Sequence, residues 1–177
     1  MSLAVYDKSG VALLSSGHKS HFSQAEYACR CGCGENRIDQ SLIDADDKFR
    51  VALQVPVYIS RGVSCFKHNI KEGGAKGSKH LPICLASDKN IFDFDDEFLF
   101  TNAVNYYNAV GLYLRPHNIH SDMRETNLYW FRKVIQDADG KWKSGKYEYF
   151  NTPEVCLLEY KKFKSEVVSK GFVLGSL

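Results

Sequence analysis

Leu42, Ile43, Phe49 and Leu53 recur on one stripe at helical spacing. Asp39 stands just before them as a good N-cap. The pattern predicts a helix over Gln40 to Leu53, with its acidic residues turned to solvent. The period then shortens. Val57-Tyr58-Ile59-Ser60 follows Pro56 as a short β-branched strand. A second strand is expected around Leu85 to Ser87, and Ile119 to Met123 alternates as a strand does. Between them, Asp95 or Asp96 caps a helix running to about Val110, which Gly111 ends. Leu128 to Ile135 and Lys146 to Phe150 predict a hairpin, with Asp139-Gly140 near its turn. Thr152 (cap) and Pro153 (first position) open a last helix that reaches Gly171. Val155, Leu158, Phe163 and Val167 form its buried face.

The remaining segments are less regular. Residues 1 to 21 are rich in Ser, Gly and Lys, with a short strand at Val11 to Leu14. Residues 22 to 38 read as a loop packed by Phe22 and Tyr27. Residues 61 to 79 are punctuated by Gly62, Gly73, Gly74 and Gly77; a loop of that length is costly unless it builds something. Short strands scattered among helices give an α+β class, with a small, mainly antiparallel sheet flanked by helices. No repeat or linker divides the chain, so a single domain over residues 1–177 is expected.

Composition narrows the function classes. The chain has 177 residues, 44% apolar and 25% charged, as ordinary globular domains do. Its net charge of +2 is too near balance to suggest nucleic acid. Lys161-Lys162-Phe163-Lys164, the one basic cluster, fits a solvated helix face. No run approaches the roughly 18 apolar residues of a membrane span. Met1 to Gly17 lacks the apolar core of a secretory signal, so a monomer that is cytoplasmic as synthesised is expected. Six cysteines in a chain that is neither tiny nor evidently secreted are expected to be reduced thiols. Cys29, Cys31 and Cys33 are bunched in Cys-Arg-Cys-Gly-Cys-Gly. They fit a second metal site completed by Cys65, or a tight glycine-bearing loop of small buried thiols. Against the metal, the paired Cys-x-x-Cys spacing usual for structural zinc is missing.

Several strings in the chain together resemble a known family. They are Glu26-Tyr27-Ala28-Cys29-Arg30-Cys31-Gly32-Cys33-Gly34, then Ile38-Asp39 opening a helix with Arg50 near its end. Cys65-Phe66-Lys67-His68-Asn69, Gly73-Gly74-Ala75 and Ser78-Lys79-His80-Leu81 follow. The last block runs from Gly111-Leu112-Tyr113 to His120-Ser121-Asp122-Met123-Arg124. Their order and spacing over roughly residues 22 to 133 resemble the zinc D-Ala-D-Ala carboxypeptidases of the peptidase M15 type. These include phage L-alanyl-D-glutamate endolysins and vancomycin-resistance dipeptidases, and they share a metal-site architecture with the signalling domain of hedgehog proteins. The resemblance implies a hedgehog/DD-peptidase-like fold. It also implies His80, Asp88 and His120 as ligands of a zinc ion, and a peptidoglycan stem peptide or similar D-amino-acid peptide as substrate. Donor chemistry agrees: two imidazoles and a carboxylate suit zinc and leave a fourth position for water, which the metal makes nucleophilic near neutral pH.

Three positions depart from the family pattern. A family arginine is replaced by Ser64 in Arg61-Gly62-Val63-Ser64, which leaves Arg61 to supply the charge that steadies a carboxylate or polarises the scissile carbonyl. The His80–Asp88 interval is one residue longer than usual. The glutamate expected three residues before the second histidine is His117. As general acid/base the sequence offers His117, whose imidazole titrates near neutrality, or Asp122, which projects to the same side of a strand as His120. Asp122 is alternatively an orienting partner of a ligand. Arg124 is a further candidate for binding a carboxylate, and Phe66 and Tyr113 for lining a cleft. The leading expectation is a zinc peptidase cutting stem peptides, of D,D-carboxypeptidase or L,D-endopeptidase type, phage-encoded and delivered to the wall or acting on cytoplasmic muropeptides. The alternatives are a catalytically impaired binding or phage-structural module that keeps the fold, and a redox or regulatory protein built on the cysteine cluster.

Overall fold

In the computed structural model, which describes residues 2–176, the N-terminal segment is a three-stranded antiparallel sheet of β1 (Val5–Tyr6), β2 (Val11–Leu13) and β3 (Lys19–Ser23). A single helical turn, α1 (Gln24–Tyr27), follows where a loop was expected. Ser23 and Glu26 close it with a reciprocal capping box. Phe22 and Tyr27, expected to pack this segment, meet edge to face and are fully buried.

The helix α2 (Gln40–Leu53) has the expected bounds, with the Asp39 carboxylate accepting from the Ser41 N–H. Leu42, Ile43, Phe49 and Leu53 are buried, but the expectation for its acids fails. Asp46 and Asp47 are buried too. Asp47 accepts from Ser20 and His21 of β3. Asp46 is the hub of a network under the main sheet: it accepts from the hydroxyls of Tyr27, Tyr107 and Ser87 and pairs with the Lys89 ammonium at 2.9 Å. Helical spacing marks which side faces inward. It does not say that the inward neighbour is a cation.

The main sheet has six strands in the order β4-β5-β7-β6-β8-β9. These are β4 (Tyr58–Arg61), β5 (Ala86–Asn90), β6 (Ala109–Leu112), β7 (Asn118–Asp122), β8 (Leu128–Gln136) and β9 (Trp142–Phe150). All pairs are antiparallel except β6 with β8. Between β4 and β5 lies α3 (Phe66–Lys71), within the stretch expected to be irregular. Between β5 and β6, α4 (Asp96–Ala103) is shorter than its sequence pattern suggested, because Ala109–Leu112 forms β6 instead of a last helical turn. Gly111 is therefore not a helix stop. It lies mid-strand, where an added Cβ would come within 2.2 Å of the Trp130 ring.

The closing helix α5 (Pro153–Ser169) starts at Thr152 as expected, without a side-chain capping bond. Its inward face is rotated from the expected one: Cys156, Tyr160 and Val167 are buried, whereas Val155 and Leu158 are exposed. The rotation lets Tyr160 and Phe163 pack on Phe131 and lets the Tyr160 hydroxyl donate to Asp96. Lys164, from the basic cluster, pairs with the buried Asp96.

Strand alternation sorts the sheet into two faces. Ser87, Lys89, Ser121, Tyr129 and Phe131 point towards α2, α4 and α5. Asp88, His120 and Trp130 point the other way. We expect Asp46→Ala to cost about 3–5 kcal/mol in urea unfolding, because it strands the buried Lys89 ammonium. A loss under about 1 kcal/mol would show that the pair does not hold this interface.

Candidate metal centre

Directly paired residues form one row across the sheet: Arg61 (β4), Asp88 (β5), His120 (β7), Gly111 (β6), Trp130 (β8) and Tyr149 (β9). Opposed residues share a face, so this row places Asp88 beside His120 from opposite strands. His80 enters from the loop before β5. That loop is closed by the Leu85 N–H donating to the Lys79 carbonyl. It absorbs the extra residue of the His80–Asp88 interval, and Asp88 keeps its place on the strand.

The three donor atoms make a small triangle. His80 Nε2 lies 3.3 Å from His120 Nδ1 and 3.4 Å from Asp88 Oδ1, and His120 Nδ1 lies 2.8 Å from the same oxygen. Ligands at about 2.0–2.1 Å from one tetrahedral ion sit about 3.3–3.4 Å apart. Two edges already have that length. The third is a hydrogen bond that an ion would replace. All three residues are buried. Nitrogen and oxygen donors in this set fit zinc.

The outer ring nitrogens are also occupied. His80 Nδ1 lies 2.8 Å from the Gly62 carbonyl, to which it donates, leaving Nε2 free as a ligand. His120 Nε2 lies 3.1 Å from Asp122 Oδ2, which leaves Nδ1 as the ring atom that could bind a metal. Asp122 is in turn gripped by Arg124 through Nε at 2.7 Å and Nη2 at 2.5 Å. With no exposure and both oxygens engaged by His120 and Arg124, Asp122 is placed to orient the His120 ring and is turned away from the cleft. Arg124 is thereby also committed, to Asp122.

His117 is placed elsewhere. It precedes β7 with φ of +62°, its Nδ1 lies 3.0 Å from the Phe94 carbonyl, and its ring packs on Phe92. Three residues of extended chain separate it from His120 by about 10 Å. The structure does not bring it to the His80, Asp88 and His120 group, which corrects the expectation that it serves as acid/base there.

Arg61 does reach the site. It follows a one-residue bulge at Ser60 that sets it opposite Asp88. Its guanidinium donates to the buried Ser64 hydroxyl at 3.1 Å and to Asn69 Oδ1 at 3.2 Å. Arg61 and Asp88 line a cleft of about 490 Å³ whose wall also carries Arg30, Glu72, Tyr113 and Arg132. Phe66 is exposed and outside that lining.

Trp130 was not expected from sequence. Its ring lies 5.1 Å from that of His120 and packs edge to face with Tyr113 and Tyr147. It reaches His120 across Gly111, the one position in the row without a side chain. The parallel β6–β8 pairing that creates this contact joins segments with no common motif, so nothing local in the chain announces it.

Electrostatics match the geometry. Burial opposes the Asp88 carboxylate, but His80 and His120 outweigh it and hold its pKa far below the usual range. Burial likewise opposes Asp122, and Arg124 and His120 hold it down. Burial disfavours the His120 cation, yet the bonds to Asp122 and Asp88 raise its pKa above the ordinary value.

A family model described as Peptidase M15 matches residues 20–122. The chain belongs to the peptidase M15 family. The matched segment contains all three donor residues. No curated protein and no solved structure matches the chain. M15 peptidases are generally zinc-dependent, so the family points to a metallopeptidase-type function for this chain and to the buried His80, Asp88 and His120 group as its possible metal site. Among the described residues no helix is long and apolar enough to cross a membrane.

Asp122→Asn should weaken zinc binding about 10–100-fold by chelator competition, since it loosens the tether on His120. Unchanged affinity would remove Asp122 from the site. In the metal-free protein, the raised His120 pKa gives stability that is complete below about pH 6.5 and lost as pH rises through the folded value. Asp88 and Asp122, both depressed, contribute stability above about pH 4 that is lost as pH falls through their folded values. Metal takes only the neutral imidazole. Zinc affinity should therefore begin to fall above pH 6.5 as the solution is acidified; an affinity flat from pH 8 to 6 would contradict the raised value.

Proposed function

We propose that this protein is a zinc peptidase that hydrolyses peptidoglycan stem peptides or similar D-amino-acid peptides, by D,D-carboxypeptidase or L,D-endopeptidase chemistry. The observation that carries this reading is the triangle of His80 Nε2, Asp88 Oδ1 and His120 Nδ1, buried on the sheet face that opens into the cleft. When bound there, zinc supplies a Lewis acid for the scissile carbonyl and lowers the pKa of water.

The chain's own residues supply the rest. Gly62 and Asp122 hold the two imidazoles in the tautomers that offer Nε2 and Nδ1 inward. Arg61, opposite Asp88, takes the place of the family arginine that Ser64 replaces, and holds a substrate carboxylate or the carbonyl oxygen in the cleft. Ser64 and Asn69 fix the guanidinium from behind. Arg30, Arg115 and Arg132 make the cleft wall basic, which suits the carboxylates that stem peptides carry. Trp130, Tyr113 and Tyr147 wall off the ligands from bulk water. Beside Asp88 the cleft lining holds one other carboxylate, Glu72. We assign it the proton shuttle in place of His117. The Cys-Arg-Cys-Gly-Cys loop, which resembles that of phage and bacterial members, supports an endolysin-type setting.

His80→Ala should abolish cleavage of purified stem peptides, read by mass spectrometry of the products. Arg61→Ala should lower kcat/KM by about 10²–10³. Glu72→Gln should lower kcat by about 10²–10⁴ with zinc retained, whereas His117→Ala should leave it near the parent value. A zinc-loaded parent that cuts no D,D or L,D bond would favour a binding module instead.

A further inference from the structure

Four of the six cysteines come together away from the His80 centre. Cys29, Cys31 and Cys33 lie on the loop after α1, and Cys65 is the N-cap of α3. Their sulfurs all lie within 4.8 Å of one another. Cys29 and Cys31 are 3.4 Å apart, and Cys31 and Cys65 are 3.7 Å apart. These are not disulfide lengths, and all six cysteines are free thiols. Four thiolates about 2.3 Å from one tetrahedral ion would sit about 3.8 Å apart.

Packing accounts for Cys29, which is buried in the core, and for Cys65 against it, but not for Cys31 and Cys33. Cys84 and Cys156 are solitary, fully buried thiols, and burial pushes each up to about 12, as inert core cysteines behave. Cys31 and Cys33 are exposed, in a stretch from Arg30 to Gly34 that contributes nothing to the core. Gly32 and Gly34 take φ of +76° and +79°, so the chain coils tightly enough for alternate residues to face one point. Backbone N–H groups also aim at the sulfurs. Cys65 N–H donates to Cys29 Sγ at 3.3 Å, and His68 N–H donates to Cys65 Sγ at 3.4 Å. Such bonds favour thiolate over thiol.

We propose that Cys29, Cys31, Cys33 and Cys65 bind a second zinc ion in a closed tetrathiolate site that is structural and distinct from the catalytic centre. Each ligating thiol releases its proton to solvent as it binds. With four protein ligands the ion keeps no open position, so it does no hydrolysis. Its role is to clip the loop after α1 to the segment that precedes α3. That segment is the support of His80: Gly62 accepts from His80 Nδ1, and the Ser64 N–H donates to the His80 carbonyl at 2.7 Å. Val63 N–H donates to the Tyr27 carbonyl, which ties the same segment to α1. The sequence spacing argued against this site because it has no second Cys-x-x-Cys pair. The fold replaces that pair with a third loop cysteine and one from the start of a helix.

The test uses the full chain under reducing conditions. His80→Ala, which disables the catalytic centre, should still retain about one zinc per chain after desalting, against about two in the parent. Loaded with cobalt(II) instead, it should show intense near-ultraviolet sulfur-to-metal absorption. Adding Cys31→Ser and Cys65→Ser should remove both the residual zinc and the absorption. Should that variant fail to fold, Cys33→Ser alone in the His80→Ala background should weaken zinc at least 10-fold with the circular dichroism spectrum unchanged. A His80→Ala protein that folds yet binds no zinc, or a cobalt spectrum without the sulfur band, overturns the proposal. So does zinc retention unaffected by the cysteine substitutions. Loss of activity in the parent would bear on the catalytic reading alone and would leave this result untouched.

Discussion

The centre depends on strand register. A carboxylate at residue 88 and an imidazole at residue 120 meet only because β5 and β7 pair with those residues directly opposed. A slip of β5 by one residue would turn Asp88 to the helical side and Lys89 to the cleft, and so part Asp88 from His120. The register is enforced from beneath. Lys89 reaches Asp46 of α2 and the hydroxyls of Ser87 and Ser121, and Tyr27 and Tyr107 complete the hydrogen bonding of Asp46. Burial lowers the Lys89 pKa and Asp46 opposes that shift, so the pair is an expensive way to stabilise a core. Its use is specificity: a buried cation that must meet one particular carboxylate selects one pairing among several that would bury similar apolar area.

From that row the chemistry is built outward. The ligand triangle is held by a second layer, Gly62 behind His80 and the Asp122–Arg124 pair behind His120. Gly111 leaves the gap through which Trp130 reaches His120. The bulge at Ser60 turns Arg61 to the position opposite Asp88, where its guanidinium donates to Ser64; in the proposed function it supplies from three residues upstream the charge that Ser64 lacks. The replacement and the bulge make sense together. A guanidinium at residue 64 itself would have to occupy the fully buried place that the Ser64 side chain takes.

Much of this was legible in the chain, and the failures share a cause. The Asp39-capped helix and the β8–β9 hairpin follow from local pattern and have their expected places; the His80, Asp88 and His120 set came from the family resemblance, and the structure groups those three side chains as a possible metal site. What local pattern missed was set by partners distant in sequence. The acids of α2 read as solvent-facing because Lys89 lies 43 positions beyond Asp46, on another element. Ala109 to Leu112 read as the end of a helix because its strand neighbours are β7 and β8. His117 stood where a catalytic carboxylate was expected, but its left-handed backbone and the Phe94 carbonyl hold it at the far end of β7. Motif position fixes sequence distance; the turn that follows decides where the side chain goes.

In the proposed zinc site, three side chains from a loop and two strands converge on one ion. Anomalous diffraction at the zinc edge, from crystals grown with zinc, tests it most directly. The expected result is a peak bonded at about 2.0–2.2 Å to His80 Nε2, Asp88 Oδ1 and His120 Nδ1, with solvent in the remaining position. Saturating zinc that leaves no peak among those three atoms would contradict it.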